Sequence, residues 1–178
     1  GTDGGGGTAT DIDADGDDSE HVTRTDELPT YDDVATAREV LRASPTERDE
    51  RGLTDDDVRA AFRTVVAEGD REEKDLSGIT LPALDLDYEV VDGTNKHPVD
   101  LRGATVEKLS VERGTVRLPI HLHDATVGDI QLEGAHVTQD LLLDGATVTG
   151  DVDTFEATFD GDLECRGTTF EGAVELDE

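Results

Sequence analysis

Residues 141–176 read LLLDGATVTGD (141–151), VDTFEATFDGD (152–162), LECRGTTFEGA (163–173) and VEL (174–176), three copies of one unit and the start of a fourth. Apolar or small residues fall at positions one, three, six and eight: Leu141, Leu143, Ala146 and Val148 in the first copy, Leu163, Cys165, Thr168 and Phe170 in the third. Positions one and three alternate as in a short strand with odd residues facing inward. Positions six and eight repeat that pattern as a second strand. Between them lies a turn dipeptide, Asp144-Gly145 or Arg166-Gly167, whose glycine permits positive φ at a corner. Thr149-Gly150-Asp151 and Asp160-Gly161-Asp162 mark the other corner.

Working outward, the same unit appears as VDLRGATVEK (99–108), LSVERGTVR (109–117), IHLHDATVGD (120–129) and IQLEGAHVTQD (130–140), with a period of 10 or 11 residues. DLSGITL at 75–81 matches DLRGATV at 100–106, which places the start of the array near Asp75 and makes Asp92–Pro98 (DGTNKHP) an insertion between early rungs. Each unit supplies two sides of a coil, so two units give a four-sided rung. Helix is excluded, because glycine recurs at fixed positions where it would weaken a helix interior. Strands this short stand only when like rungs stack. The small residue at position six leaves room for Val or Phe at position eight.

DLSGITL, DLRGATV and ATFDGDLECRGTTFEGAVELDE resemble pentapeptide-repeat proteins, in particular the variant whose unit is near eleven residues. The resemblance covers about 75–178 and is strongest from 141 to 176. It implies a right-handed quadrilateral β-helix, usually non-catalytic, in a family that includes topoisomerase-binding DNA mimics and modules appended to channels or kinases. A weaker resemblance is to bactofilins, which are polymerising β-helices.

Residues 29–74 carry helical patterning instead. Thr30 is positioned to cap a helix bearing Val34, Ala37, Val40 and Leu41, which Ser44-Pro45 ends. Thr54 with Asp57 forms a capping box for a second helix with Val58, Ala61, Phe62, Val65 and Val66 on one face, and Gly69 follows as a C-terminal cap. The hairpin is expected to pack against the first rung. Residues 1–28, with GTDGGGG and DIDADGDD, lack apolar periodicity and are expected to form a disordered acidic tail. Those glycines follow no strand and precede no Lys-Ser/Thr, which excludes a phosphate loop. The fold expectation is therefore mainly β: a tail (1–28), a helical hairpin (29–74) and a solenoid (75–178).

The chain has 15 Lys and Arg against 45 Asp and Glu, a formal net charge of −30, and only three lysines. This composition resembles proteins of halophilic archaea, whose molar cytoplasmic salt screens such repulsion to about 3 Å. No basic stripe exists to neutralise phosphates, which argues against direct nucleic-acid binding. One cysteine excludes an internal disulfide, and no apolar run approaches the roughly 20 residues of a membrane span. The expected location is cytoplasmic. The chain begins at Gly1 rather than Met, as a fragment or processed form would.

No catalytic, cofactor-binding or metal-ligating set emerges. His121 and His123 flank inward Leu122, and His136 lies on a neighbouring unit; the three read as solvated surface groups. Cys165 takes inward position three and reads as core, not nucleophile. The acid pairs Asp151/Asp153 and Asp160/Asp162 sit at corners without the pattern of calcium-binding β-rolls. The array stops at Val174 and Leu176 with no capping helix, although solenoid ends usually need one. The functional expectation is a non-enzymatic binding or scaffolding module that meets a protein partner or a second copy through that open end. The alternatives are a polymerising bactofilin-like filament, a domain of a larger membrane channel and, still open, DNA mimicry.

Overall fold

Position five of each unit turns the coil. Gly78, Gly103, Gly134, Gly145 and Gly167 stand there with φ between 65° and 72°, and Tyr88, Arg113, Asp124 and Glu156 hold the same left-handed conformation at 53° to 61°. The corner is thus imposed by the stacked turns even where a Cβ opposes it, at a cost of about 1–2 kcal/mol each. These residues belong to a computed structural model that describes residues 30–176; the expected tail at 1–28 lies outside the described residues.

The strands between the corners are β1 (Thr80–Asp85), β2 (Val90–Val91), β3 (Val99–Asp100), β4 (Thr105–Ser110), β5 (Thr115–Val116), β6 (Ile120–His121), β7 (Thr126–Gln131), β8 (His136–Val137) and β9 (Leu141–Leu142). They continue as β10 (Thr147–Val148), β11 (Val152–Asp153), β12 (Thr158–Phe159), β13 (Leu163–Glu164), β14 (Thr169–Phe170) and β15 (Val174–Glu175). All pairs are parallel, and they form columns: β1-β4-β7-β10-β14, with β11 and β15 continuing the second half of β7; β2-β5-β8-β12; and β3-β6-β9-β13. The chain is a β-solenoid of about four turns, preceded by three helices.

Unit length decides how one corner is made. After the units that reach position one of the next in ten residues, the strand runs through the corner, giving six-residue β1, β4 and β7. Eleven-residue units insert one more residue, and the strand splits into β10 and β11, or β14 and β15. Partners in register lie 21 or 22 residues apart, as in Thr126 with Thr147 and Thr147 with Thr169. The first turn is longer, Thr80 pairing with Thr105, because 92–98 is inserted between β2 and β3. Gly150 and Gly172 serve the split corner by allowing close approach: a Cβ on Gly172 would meet the Gly150 carbonyl oxygen at 2.2 Å.

Inward positions one, three, six and eight are buried as expected, for example Val99, Leu101, Ala104 and Val106. One core runs from the helices through the coil. The helical region departs from a simple hairpin. Helix α1 spans Val34–Arg42 and is capped by Asp33, whose carboxylate accepts the Ala35 N–H, not by Thr30. Ser44-Pro45 does stand where α1 ends, with Ala43 and Ser44 extended, and Pro45 has a second role. It starts a short helix α2 (Pro45–Glu50), with Ser44 and Glu47 as a reciprocal capping box, because proline at the first helical position loses no hydrogen bond. Helix α3 (Asp55–Glu68) has the expected Thr54–Asp57 box. Gly69 caps its end in an extended conformation, its N–H donating to the Val65 carbonyl. Arg48 of α2 is buried and donates to the Val40 and Leu41 carbonyls, closing the end of α1.

The apolar faces of α1 (Ala37, Val40, Leu41) and α3 (Val58, Ala61, Phe62, Val65, Val66) join the first turn's Leu76, Ile79, Leu81, Leu84 and Leu86 in that core. The insertion fastens the arrangement. Thr94 N–H donates to the Ala67 carbonyl and Asn95 Nδ2 to the Gly69 carbonyl, both at 2.9 Å. Arg63 on α3 pairs with Glu89 beside β2.

Candidate interaction surface at the uncovered end of the coil

Each turn prepares acceptors for the next. Asp129, Asp140 and Asp144 take the backbone N–H of Asp151, Asp162 and Arg166, one turn later, at 2.8 to 2.9 Å. Asp151 then takes the Ala173 N–H at 2.9 Å. Of the corner acids noted in the sequence, Asp151 and Asp160 link turns through their carboxylates, whereas Asp153 accepts the Phe155 N–H within its own turn. Charge-assisted bonds of this kind are stronger than neutral ones. In the last turn, Asp162 stands where Asp140 stands one turn before, and no described residue lies beyond to use it.

The same holds for the core. Leu141, Val148 and Val152 are 3%, 0% and 6% exposed, whereas Leu163, Phe170 and Val174, directly stacked on them, are 38%, 37% and 40% exposed. Leu176 reaches 66%. Between these side chains lies an apolar cavity of about 140 Å3, walled by residues that include Leu143, Leu163, Cys165, Phe170, Val174 and Leu176. Strands β12 to β15 are paired only on the side of the preceding turn. Among the described residues the last turn thus offers apolar side chains and unpaired strand edges together, a combination that templates added strands. Val174 and Leu176, singled out in the sequence, both lie in it.

Around that mouth, residues 151–176 hold Asp and Glu at eight positions and a single cation, Arg166, which is paired with Asp144 and Glu164. Cys165 is half-buried in the cavity wall. Burial, then the Asp144 carboxylate, pushes its thiol pKa up, so it stays protonated near neutral pH.

The histidines do not converge. His121 and His123 sit edge to face with ring centroids 5.7 Å apart, and burial, then His123, pushes the His121 pKa down. His136 lies elsewhere, its Nε2 2.7 Å from Asp160 Oδ2. Among the described residues no three His, Cys, Asp or Glu side chains are grouped to hold a metal ion, and no helix is long and apolar enough to cross a membrane.

The opposite end contains a residue that the sequence pattern concealed. Lys74 takes position one of the first turn, before Val99, Ile120, Leu141 and Leu163 in the same column, as the Asp75–Asp100 bridge and the column's register require. It is 0% exposed, and its ammonium donates to Asn95 Oδ1 at 2.7 Å. Burial, then repulsion from Lys96, lowers its pKa. A match of Lys74 to Val99 in register was the available signal.

The architecture defines a class, the β-solenoids; within residues 30–176 helices pack on the first turn, and no described residue stacks on the last. Comparison of the chain with known protein families, with curated proteins and with solved structures found no match to any of them.

Proposed function

We propose that this chain is a non-enzymatic binding or scaffolding module of pentapeptide-repeat type, whose interaction surface is the outer face of its last described turn. The observation that carries the reading is the pairing of exposed Leu163, Phe170, Val174 and Leu176 with the free edges of β12 to β15. The occupant is a second copy of the chain, joined end to end about a two-fold axis. A second copy brings the same four-sided cross-section and the same apolar mouth, which an isologous contact requires. The acidic rims repel at low ionic strength, so the pair is expected where salt screens them. The same chemistry gives a protein that assembles by salt and concentration, not by catalysis.

The covered first turn favours a closed pair over a bactofilin-like filament, because propagation needs two free faces and α1, α3 and the 92–98 insertion occupy one. Light scattering after size-exclusion chromatography in about 2 M KCl tests this. A discrete dimer is expected for the wild type and a monomer for the Val174→Asp, Leu176→Asp double variant. Large species that grow with concentration would transfer the case to the filament. A monomer at every concentration would remove the second copy as occupant.

A further inference from the structure

The chain holds three acids for each base, so carboxylate partners for its arginines are plentiful. Arg59, Arg63, Arg102, Arg113, Arg117 and Arg166 each lie within 4.0 Å of one. Arg38, Arg42, Arg48, Arg51 and Arg71 have none among the described residues; Arg48 is buried on the Val40 and Leu41 carbonyls, and Arg38, Arg42 and Arg51 line a single cleft of about 490 Å3 beside α1 and α2. That volume falls in the range of about 300–1,000 Å3 typical of small-molecule sites.

Arg38 and Arg42 lie one helical turn apart on α1, where like charges repel. Both donate to one acceptor, the carbonyl oxygen of Asp75, each at 3.2 Å. A neutral carbonyl orients two guanidiniums without neutralising either. Arg38 Nε is removed from water and has no hydrogen-bond partner among the described residues. The carboxylates in the cleft wall are Glu39, Glu47 and Glu73. Glu47 is committed to the Ser44 N–H at 3.1 Å and Glu73 to the Asp70 N–H at 2.8 Å. Glu39 alone has no hydrogen-bond engagement of its side chain among the described residues.

We propose that this cleft binds a small oxyanion-bearing ligand, a phosphate ester or a di- or tricarboxylate, held by the Arg38 and Arg42 guanidiniums with Arg51 as the third cation. Planar guanidinium forks match the two oxygens of a carboxylate or phosphate. The acidic run from Asp11 to Glu20 of this same chain carries the same carboxylate chemistry, and the experiment separates that source from a free ligand.

The test is calorimetric titration of the full chain with pyrophosphate and with citrate at about 0.15 M ionic strength, where unpaired surface charges beyond about 8 Å are screened. One saturable site is expected. The Arg38→Gln, Arg42→Gln double variant should weaken it at least tenfold, and Arg113→Gln on the coil should leave it unchanged. Glu39→Gln should tighten it several-fold, a change opposite in sign that no loss of folding could imitate. Replacing Asp11, Asp13, Asp15, Asp17 and Asp18 with Asn assigns the source: tighter probe binding identifies the chain's own acidic run as the competitor, and unchanged binding leaves the cleft to a free ligand. Absent heats, equal binding by the double variant, or an equal loss in Arg113→Gln would overturn the site.

Discussion

In the first turn Leu81 and Leu84 are 2% and 0% exposed, while Phe170 and Val174, four turns on in the same columns, are 37% and 40% exposed. The two turns use the same inward positions, although the corner is continuous in β1 and split between β14 and β15. What separates their exposures is their neighbours. Two helices and a seven-residue insertion lie against one; among the described residues the other has only its predecessor. A solenoid turn is therefore half a core, completed by whatever stacks on it. The comparison also shows what a natural cover requires: apolar helix faces over the mouth, and polar groups that answer the last free backbone positions.

The contrast breaks most directly by truncating one column at both ends. Leu84→Ala should cost about 2–5 kcal/mol, as buried leucines do, and Val174→Ala less than about 1 kcal/mol, both read from urea denaturation at low protein concentration. Similar losses would mean that the mouth is covered in solution. Next in size is the clasp at the closed end. Asn95→Ala, which leaves the buried Lys74 ammonium only the Asn95 and His97 carbonyls at 3.5 Å, should cost about 1–3 kcal/mol. Lys74 also gives a pH signature. Its folded pKa lies below the ordinary 10.5, so between the two values the unfolded chain binds more protons and stability rises with pH. Denaturation midpoints from pH 8 to 11 should climb in the wild type and climb less in Lys74→Met.

A finer comparison uses two glycines in equal backbone geometry, Gly103 (φ 67°) and Gly167 (φ 68°), each with open space where a Cβ would go. Gly103→Ala should lower global stability by about 1–2 kcal/mol. Gly167→Ala should act mainly on the last turn, seen as faster amide exchange over 163–173 with a smaller global loss. Equal global losses would make the coil one cooperative unit to its last residue. The smallest effect is expected from Arg166→Ala, whose exposed ion pairs with Asp144 and Glu164 should contribute under about 1 kcal/mol in thermal melts.

The coil was legible because its rule is repeated: an inward side chain at Leu141, Leu143, Ala146 and Val148 recurs in every unit, and one register fixes all the others. Single events were not legible. Pro45 carries the same local signal whether or not it also opens α2, and only the Ser44–Glu47 box decides. Thr30 and Asp33 both qualify as caps; packing of Tyr31, whose hydroxyl donates to Asp57 and whose carbonyl accepts from Thr64, places the helix start after Asp33. Lys74 was hidden because a charge at an inward position contradicts the pattern that would find it. The mouth at Val174 and Leu176 was visible as an interrupted unit. The arginine cleft was not, since Arg38, Arg42 and Arg51 meet only once α1 and α2 are folded.

The helices that close the first turn are also the first described part of the chain to leave a ribosome. Synthesis then delivers each later turn, about 21 residues at a time, onto an edge already in place. Loop closure is the same short step on every round, so the entropy of bringing ends together never grows with the length of the coil. A template laid down first lets each later turn add to an existing edge in the order in which it is made.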